Sequence, residues 1–215
     1  MRIASQGILN QDTEITFYFD SKPYKGFLGD TVASALLAND VHLVGRSFKY
    51  HRPRGILGIG SEEPNALISV HKGGRVEPNV RATVQEIYQG LIVTSQNSWP
   101  NLKFDALAIN DIAARFLSAG FYYKTFMWPP RFWEALYEPI IRRAAGLGRL
   151  DSKTDDDNYD QNFLFCDLLI IGGGPSGLLS ALLTARAGLD VILVDENANL
   201  GGQLRFENTS IDGDH

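Results

Sequence analysis

Cysteine is almost missing from this sequence of 215 residues, which has one thiol, Cys166. A single cysteine excludes an internal disulfide, a thiolate metal cluster and a redox pair, and a cytoplasmic compartment is the expectation. Long apolar runs are missing too. No stretch of 18 apolar residues occurs, so no transmembrane helix is expected. The opening residues Met1-Arg2-Ile3-Ala4-Ser5-Gln6-Gly7 lack the apolar core of a secretory signal. An excess of positive charge is missing as well: 21% of residues are charged, an ordinary share, and the net charge is −5, which offers no general attraction to nucleic acid or to an anionic membrane. The apolar content of 44% is ordinary for a globular protein, and the length admits one or two domains.

What is there is concentrated in one stretch. Leu168-Leu169-Ile170-Ile171 reads as a buried apolar strand that stops at Gly172-Gly173-Gly174-Pro175-Ser176-Gly177. An Ala/Leu-rich helical pattern runs from Leu178 to Ala187, and a second apolar run, Val191 to Val194, ends in Asp195 and Glu196. Strand, glycine turn, helix and strand with an acid at the second strand's tip form the dinucleotide-binding fingerprint in its structural context. Gly172 permits the tight turn, Gly174 lets backbone approach a pyrophosphate, and Gly177 lets the helix pack on the strand. The helix N-terminus offers amides and partial positive charge to phosphate. The acids are placed to accept from a ribose hydroxyl, and two acids with no adjacent base disfavour a 2′-phosphate. NAD and FAD both satisfy the pattern. Leu200-Gly201-Gly202-Gln203 follows, with Gln203 a candidate polar contact near the adenosine end. After Glu196 nineteen residues remain, so the sequence is expected to open a doubly wound domain that further chain completes.

Upstream, Ile15–Phe19 reads as a strand, Asp20–Pro23 as a turn and Tyr24–Leu28 as the returning strand. Asp30 is a candidate N-cap for a helix through Val32, Ala35, Leu36 and Leu37 that ends near Asn39, and Val41–Val44 is a further apolar run. Hairpin, helix, strand is the opening of a β-grasp α+β domain. The segment from Arg46 to Arg54 holds four Arg or Lys in nine residues, interleaved with aromatics; structural packing, anion contact and nucleic acid are its readings. Glu62 and Glu63, adjacent acids, read as a solvated loop. Strands are expected over Ala66–Val70, Val80–Tyr88 and Gly90–Val93.

Between Phe121 and Tyr137, eight of seventeen residues are aromatic: Phe121, Tyr122, Tyr123, Phe126, Trp128, Phe132, Trp133 and Tyr137. So many are expected to pack on another domain or subunit. Pro129 and Pro130 break the chain before a helix over Arg131–Ala145. Residues 151–160 carry five aspartates and read as a surface linker, and Cys166 as a buried small apolar side chain. The expected domains are 12–97, 98–165 and 166–215.

Several long segments carry a resemblance. Gly29–Ala38, Val44–Gly55, Gly60–Leu67, Glu77–Thr83, Ser95–Pro100 and Ala119–Pro129 closely resemble the N-terminal part of the α subunits of heterotetrameric sarcosine oxidases. The resemblance implies an αβγδ complex that oxidatively demethylates sarcosine to glycine with formation of hydrogen peroxide. It implies FAD and FMN in the complex, not bound by this chain alone, and NAD in the α subunit. The implied NAD contacts are Gly172, Gly174, Pro175, Ser176, Gly177, Asp195, Glu196, Asn197 and Gln203; no catalytic residue is implied here. The N-terminal domain further resembles the [2Fe–2S] ferredoxin type. Cluster cysteines of that type would fall near Leu57, Glu62, Asn65 and Thr83, none of which is a thiolate, so the fold is expected without its cluster. A non-catalytic subunit-interaction module, and a subunit of a related amino-acid or opine dehydrogenase, are the alternative functions.

Overall fold

The computed structural model describes residues 9, 11–112, 114–115, 128–146, 148, 151–153, 158–197 and 199–205. The chain divides into two compact units, 1–156 and 157–215.

The first unit is built on β1 (Glu14–Phe19), whose alternation puts Ile15, Phe17 and Phe19 on one buried face. It turns through Asp20 and Ser21, both at positive φ, into antiparallel β2 (Lys22–Phe27). The turn is thus two residues, and Pro23 lies inside the strand rather than in the turn. Proline is tolerated there because β2 is an edge strand. Helix α1 (Val32–Ala38) follows. Its N-cap is Thr31, which exchanges capping-box hydrogen bonds with Ser34. Asp30, the expected cap, is buried one residue earlier, where its carboxylate accepts from the Phe27 amide at 2.8 Å and the Ser34 hydroxyl at 2.6 Å. It ties the hairpin to the helix.

The apolar run Val41–Val44 forms no strand; Val44 is buried as core filling, and its amide donates to Arg54 O at 3.0 Å. Beyond it β3 (Gly45–Arg46) pairs with β4 (Pro53–Arg54), and the basic segment is the short hairpin between them. Two of its cations are committed internally. Buried Arg46 donates to the carbonyls of Leu102 and, at 3.1 Å, of His51. Arg52 pairs with Asp111 at 2.6 Å. His51 and Asp105 are both buried and meet at 2.7 Å.

The sheet is completed by β5 (Leu67–Lys72), β6 (Arg75–Arg81) and β7 (Ile92–Ser95), in the order β2-β1-β7-β5-β6. β1 and β7 run parallel at its centre. Residues 82–88, expected as strand, form a loop with a single bridge between Thr31 and Glu86. Its amides are used elsewhere: Ile87 donates to Asp30 O, and Gln85 O accepts from Val32. Helix α1 packs Val32, Ala33, Ala35 and Leu36 against Phe17, Ile68, Val70 and Val93 of the sheet. β6, the other edge, carries Pro78 beside an irregular register. There Asp151 accepts from the Val76 amide at 3.0 Å, Gln96 accepts from the Asn79 amide, and Lys153 donates to Gly74 O at 2.6 Å. The first residues of the acidic stretch are therefore docked on β6, because a strand edge offers amides to a carboxylate.

A short helix α2 (Ile109–Ile112) lies further on. A π-helical turn, Trp133–Tyr137, leads into α3 (Glu138–Ala144). The widened turn is consistent with Pro139, which has no amide to donate back. Phe121, Tyr122, Tyr123 and Phe126 lie outside the described residues. Trp128 is 80% exposed and Phe132 stacks edge-on with Tyr137.

The core sets an order of importance. Phe17→Ala is expected to destabilise the first unit by about 3–5 kcal/mol, and Ile92→Ala, exposed on β7, by less than about 0.5 kcal/mol. Urea unfolding followed by amide exchange in β5 and β7 separates the two.

Candidate dinucleotide half-site

In the second unit β8 (Leu168–Ile171) and β9 (Val191–Val194) pair in parallel over four registered residues, joined by helix α4 (Pro175–Arg186). Strand β8 was expected to be buried throughout. It alternates instead, with Leu169 53% and Ile171 81% exposed, because among the described residues one helix lies against these two strands. Cys166 is half-buried rather than buried.

The glycine turn starts at Gly172, whose φ of +104° is one that side chains resist; its amide closes onto Val194 O at 2.7 Å. A Cβ on Gly177 would lie on the carbonyl oxygen of Gly172, so the first turn of α4 packs directly on the loop. Gly174 is the helix N-cap, and nothing stands within 4 Å of where its Cβ would be. That is open space over backbone, at a helix end whose first-turn amides have no helical acceptor. Pro175 at the first helical position donates nothing and presets the helix. Ser176 follows it, exposed.

Asp195 closes the cradle. Its Oδ2 accepts the Gly173 amide at 2.5 Å, and its Oδ1 accepts the backbone and side-chain nitrogens of Asn197 at 2.7 and 2.8 Å. The Gly173 amide first, then the two Asn197 donors, hold the carboxyl below its ordinary value. Oδ2, with one donor, retains a lone pair for a further one, whereas Oδ1 is filled by its two. The Leu200–Gln203 stretch folds back onto the same turn: Gly201 donates to Gly173 O at 2.7 Å, and a Cβ on Gly202 would stand 3.1 Å from Gly174 Cα. The structure thus brings Gly172, Gly174, Gly177, Asp195 and Asn197 together. Glu196 is exposed at the strand tip, and Gln203 is exposed in a 3-10 turn over Gly202–Arg205. Sequence reasoning missed Gly173, which both donates to Asp195 and accepts from Gly201; three successive glycines were the signal.

The open cradle, the helix end and the acid together fit the pyrophosphate and ribose of an adenine dinucleotide. No helix among the described residues is long and apolar enough to cross a membrane.

Comparison with known proteins divides the chain in the same sense. Residues 12–98 match the 2Fe-2S iron-sulfur cluster binding domain family, and residues 167–212 match the FAD dependent oxidoreductase family. The chain is 57% identical over 212 residues to sarcosine oxidase subunit alpha of Rhizobium meliloti (strain 1021), covering 99% of this chain and 22% of that protein. It is 32% identical to sarcosine oxidase subunit alpha of Corynebacterium sp. (strain U-96), covering 92% of this chain and 16% of that one. Among solved structures it is similar to L-proline dehydrogenase from P. horikoshii, with a TM-score of 0.50 and 19% identity over 95% of this chain and 29% of that one. That likeness speaks to fold alone. The chain spans about a fifth of the length of these two curated relatives, and over that span it is similar to sarcosine oxidase α subunits.

Proposed function

We propose that this chain is the N-terminal portion of an α subunit in a sarcosine-oxidising complex, and that its second unit supplies the phosphate and ribose contacts for a dinucleotide. The observation that carries the site is the bare backbone at Gly174, facing open space beside the Asp195 carboxylate. In this reading Gly172, Gly174, Pro175, Ser176 and Gly177 form the phosphate cradle. Asp195 takes the ribose hydroxyl, Glu196 and Asn197 flank it, and Gln203 reaches the adenosine end. The family match over residues 167–212 supports a flavin-dependent enzyme. NAD is the nucleotide we assign to this half-site, on the resemblance to sarcosine oxidase α subunits, with FAD its competitor. When bound, either ring system supplies a hydride acceptor; the residues described here bind and orient, and none is placed to move a proton.

The wider proposal is a cytoplasmic heterotetramer with β, γ and δ partners. It contains FAD and FMN and converts sarcosine to glycine with release of hydrogen peroxide. Domains over 12–97, 98–165 and 166–215 follow from it, and the family matches over 12–98 and 167–212 support the first and third. A non-catalytic interaction module is favoured by one feature: Ile171, Leu179 and Leu183 are all more than half exposed.

Calorimetric titration of the whole chain with NAD and with FAD decides between them. Binding of NAD tighter than about 1 mM, with FAD weaker, is the expected result. A folded chain that binds neither sinks the dinucleotide reading and leaves the module. Asp195→Asn is expected to weaken binding by about tenfold or more, through the lost charge-assisted hydrogen bond.

The pH dependence has a definite sign. The carboxyl of Asp195 is held below its ordinary value, so its contribution is present at neutral pH. It is lost only as pH falls through that depressed value. Titrations repeated at decreasing pH are expected to hold their affinity through the ordinary carboxylate range and to weaken below it.

A further inference from the structure

The first unit has the fold of an iron–sulfur domain and a donor set that does not fit a cluster. Leu57, Glu62 and Asn65 stand at the C-x4-C-x2-C spacing of plant-type ferredoxins, with Thr83 as the fourth position. None is a thiolate, and Cys166 lies outside residues 12–98. A [2Fe–2S] cluster of this type needs four such ligands. Among the described residues no group of three or more His, Cys, Asp or Glu side chains is arranged to hold a metal ion.

The centre of that loop is filled by Glu63. Its side chain, read from sequence as solvated, is 1% exposed. Oε2 accepts the amides of Leu57 at 2.7 Å and Gly58 at 2.6 Å; Oε1 accepts those of Asn65 at 2.7 Å and Ala66 at 3.1 Å. Two of these amides belong to would-be cysteine positions, and the other two follow them directly. The fourth position is also turned onto the loop: Thr83 Oγ1 donates to Gly60 O at 2.6 Å, and Arg81 Nε donates to Glu63 O at 3.2 Å. In cluster loops hydrogen bonds run to the cluster sulfurs; here four amides run to one carboxylate. Burying an anion is costly unless it is fully hydrogen-bonded. Burial pushes the Glu63 carboxyl up, but the four amides together outweigh it and hold the group below its ordinary value.

We propose that Glu63 is an internal anion standing where an iron–sulfur cluster would stand: its carboxylate gathers the amides of Leu57, Gly58, Asn65 and Ala66 and keeps the cluster-type loop folded with no metal. The unit is then a scaffold and not an electron carrier. The assignment is independent of the dinucleotide reading, since it concerns only the first unit.

Amide hydrogen exchange on the whole chain tests it. Glu63→Gln keeps the shape of the side chain and removes its charge and one acceptor oxygen. Protection at the four amides is expected to fall by about tenfold or more while the amides of β5 and β7 keep theirs. Glu62→Gln, at the neighbouring acid, is expected to leave all four protected. Full protection in Glu63→Gln would overturn the proposal, because the anion would then not be what holds the loop. So would anaerobic reconstitution of the unaltered chain with iron and sulfide, if it produced a bound, visibly absorbing cluster. If Glu63→Gln fails to fold, the unaltered chain answers directly. Its four amide protons are expected to shift on acidification in step with the Glu63 carboxyl carbon, and amide signals unmoved through that titration would refute the assignment.

Discussion

The loop between Gly55 and Ala66 has almost no ladder to donate to, and four of its amides turn inward onto one carboxylate. A backbone N–H taken out of water must find an acceptor, and in irregular chain a buried acid is the most compact one available, with two oxygens and four lone pairs. The same solution recurs. Asp30 ties the first hairpin to α1, Asp105 gathers His51 with the amides of Trp99 and Leu107, and Asp195 holds Gly173 and Asn197. Where the sheet and helices end, carboxylates take over the ordering of the chain.

In the second unit the acid secures the glycine turn from one side and leaves open space over Gly174. In the first unit the acid is enclosed by its own loop. One carboxylate orders a turn and leaves it open; the other fills the centre of its loop. The difference lies in exposure, since Glu63 is sealed beneath its own loop while Asp195 stands at a strand tip.

Much of this was legible from residue order. An apolar run, three glycines, an Ala/Leu helix and a second run ending in acid give β8 and β9 to the residue and α4 from three residues too late, because each step is local. Local signals failed where a partner distant in the chain decided the outcome. Val41–Val44 is apolar enough for a strand but forms none, with only Val44 bonding across to Arg54, and Val80–Tyr88 leaves its strand at Arg81, after which its backbone bonds to the start of α1. Thr31 wins the cap from Asp30 because Asp30 is drawn into the core. Glu63 looked like half of a solvated pair. Nothing in two adjacent acids reveals that amides up to six positions away will converge on one of them.

The two prolines at the sheet margins have a consequence for crowded conditions. A row of unfilled ladder groups is a template on which a second copy of a chain can lay its own strand. At β2 that row is interrupted by Pro23. At β6 it is interrupted by Pro78 and covered by side chains of Asp151 and Gln96. Among the described residues the five-stranded sheet therefore presents no continuous margin for sheet growth to neighbouring copies of the chain.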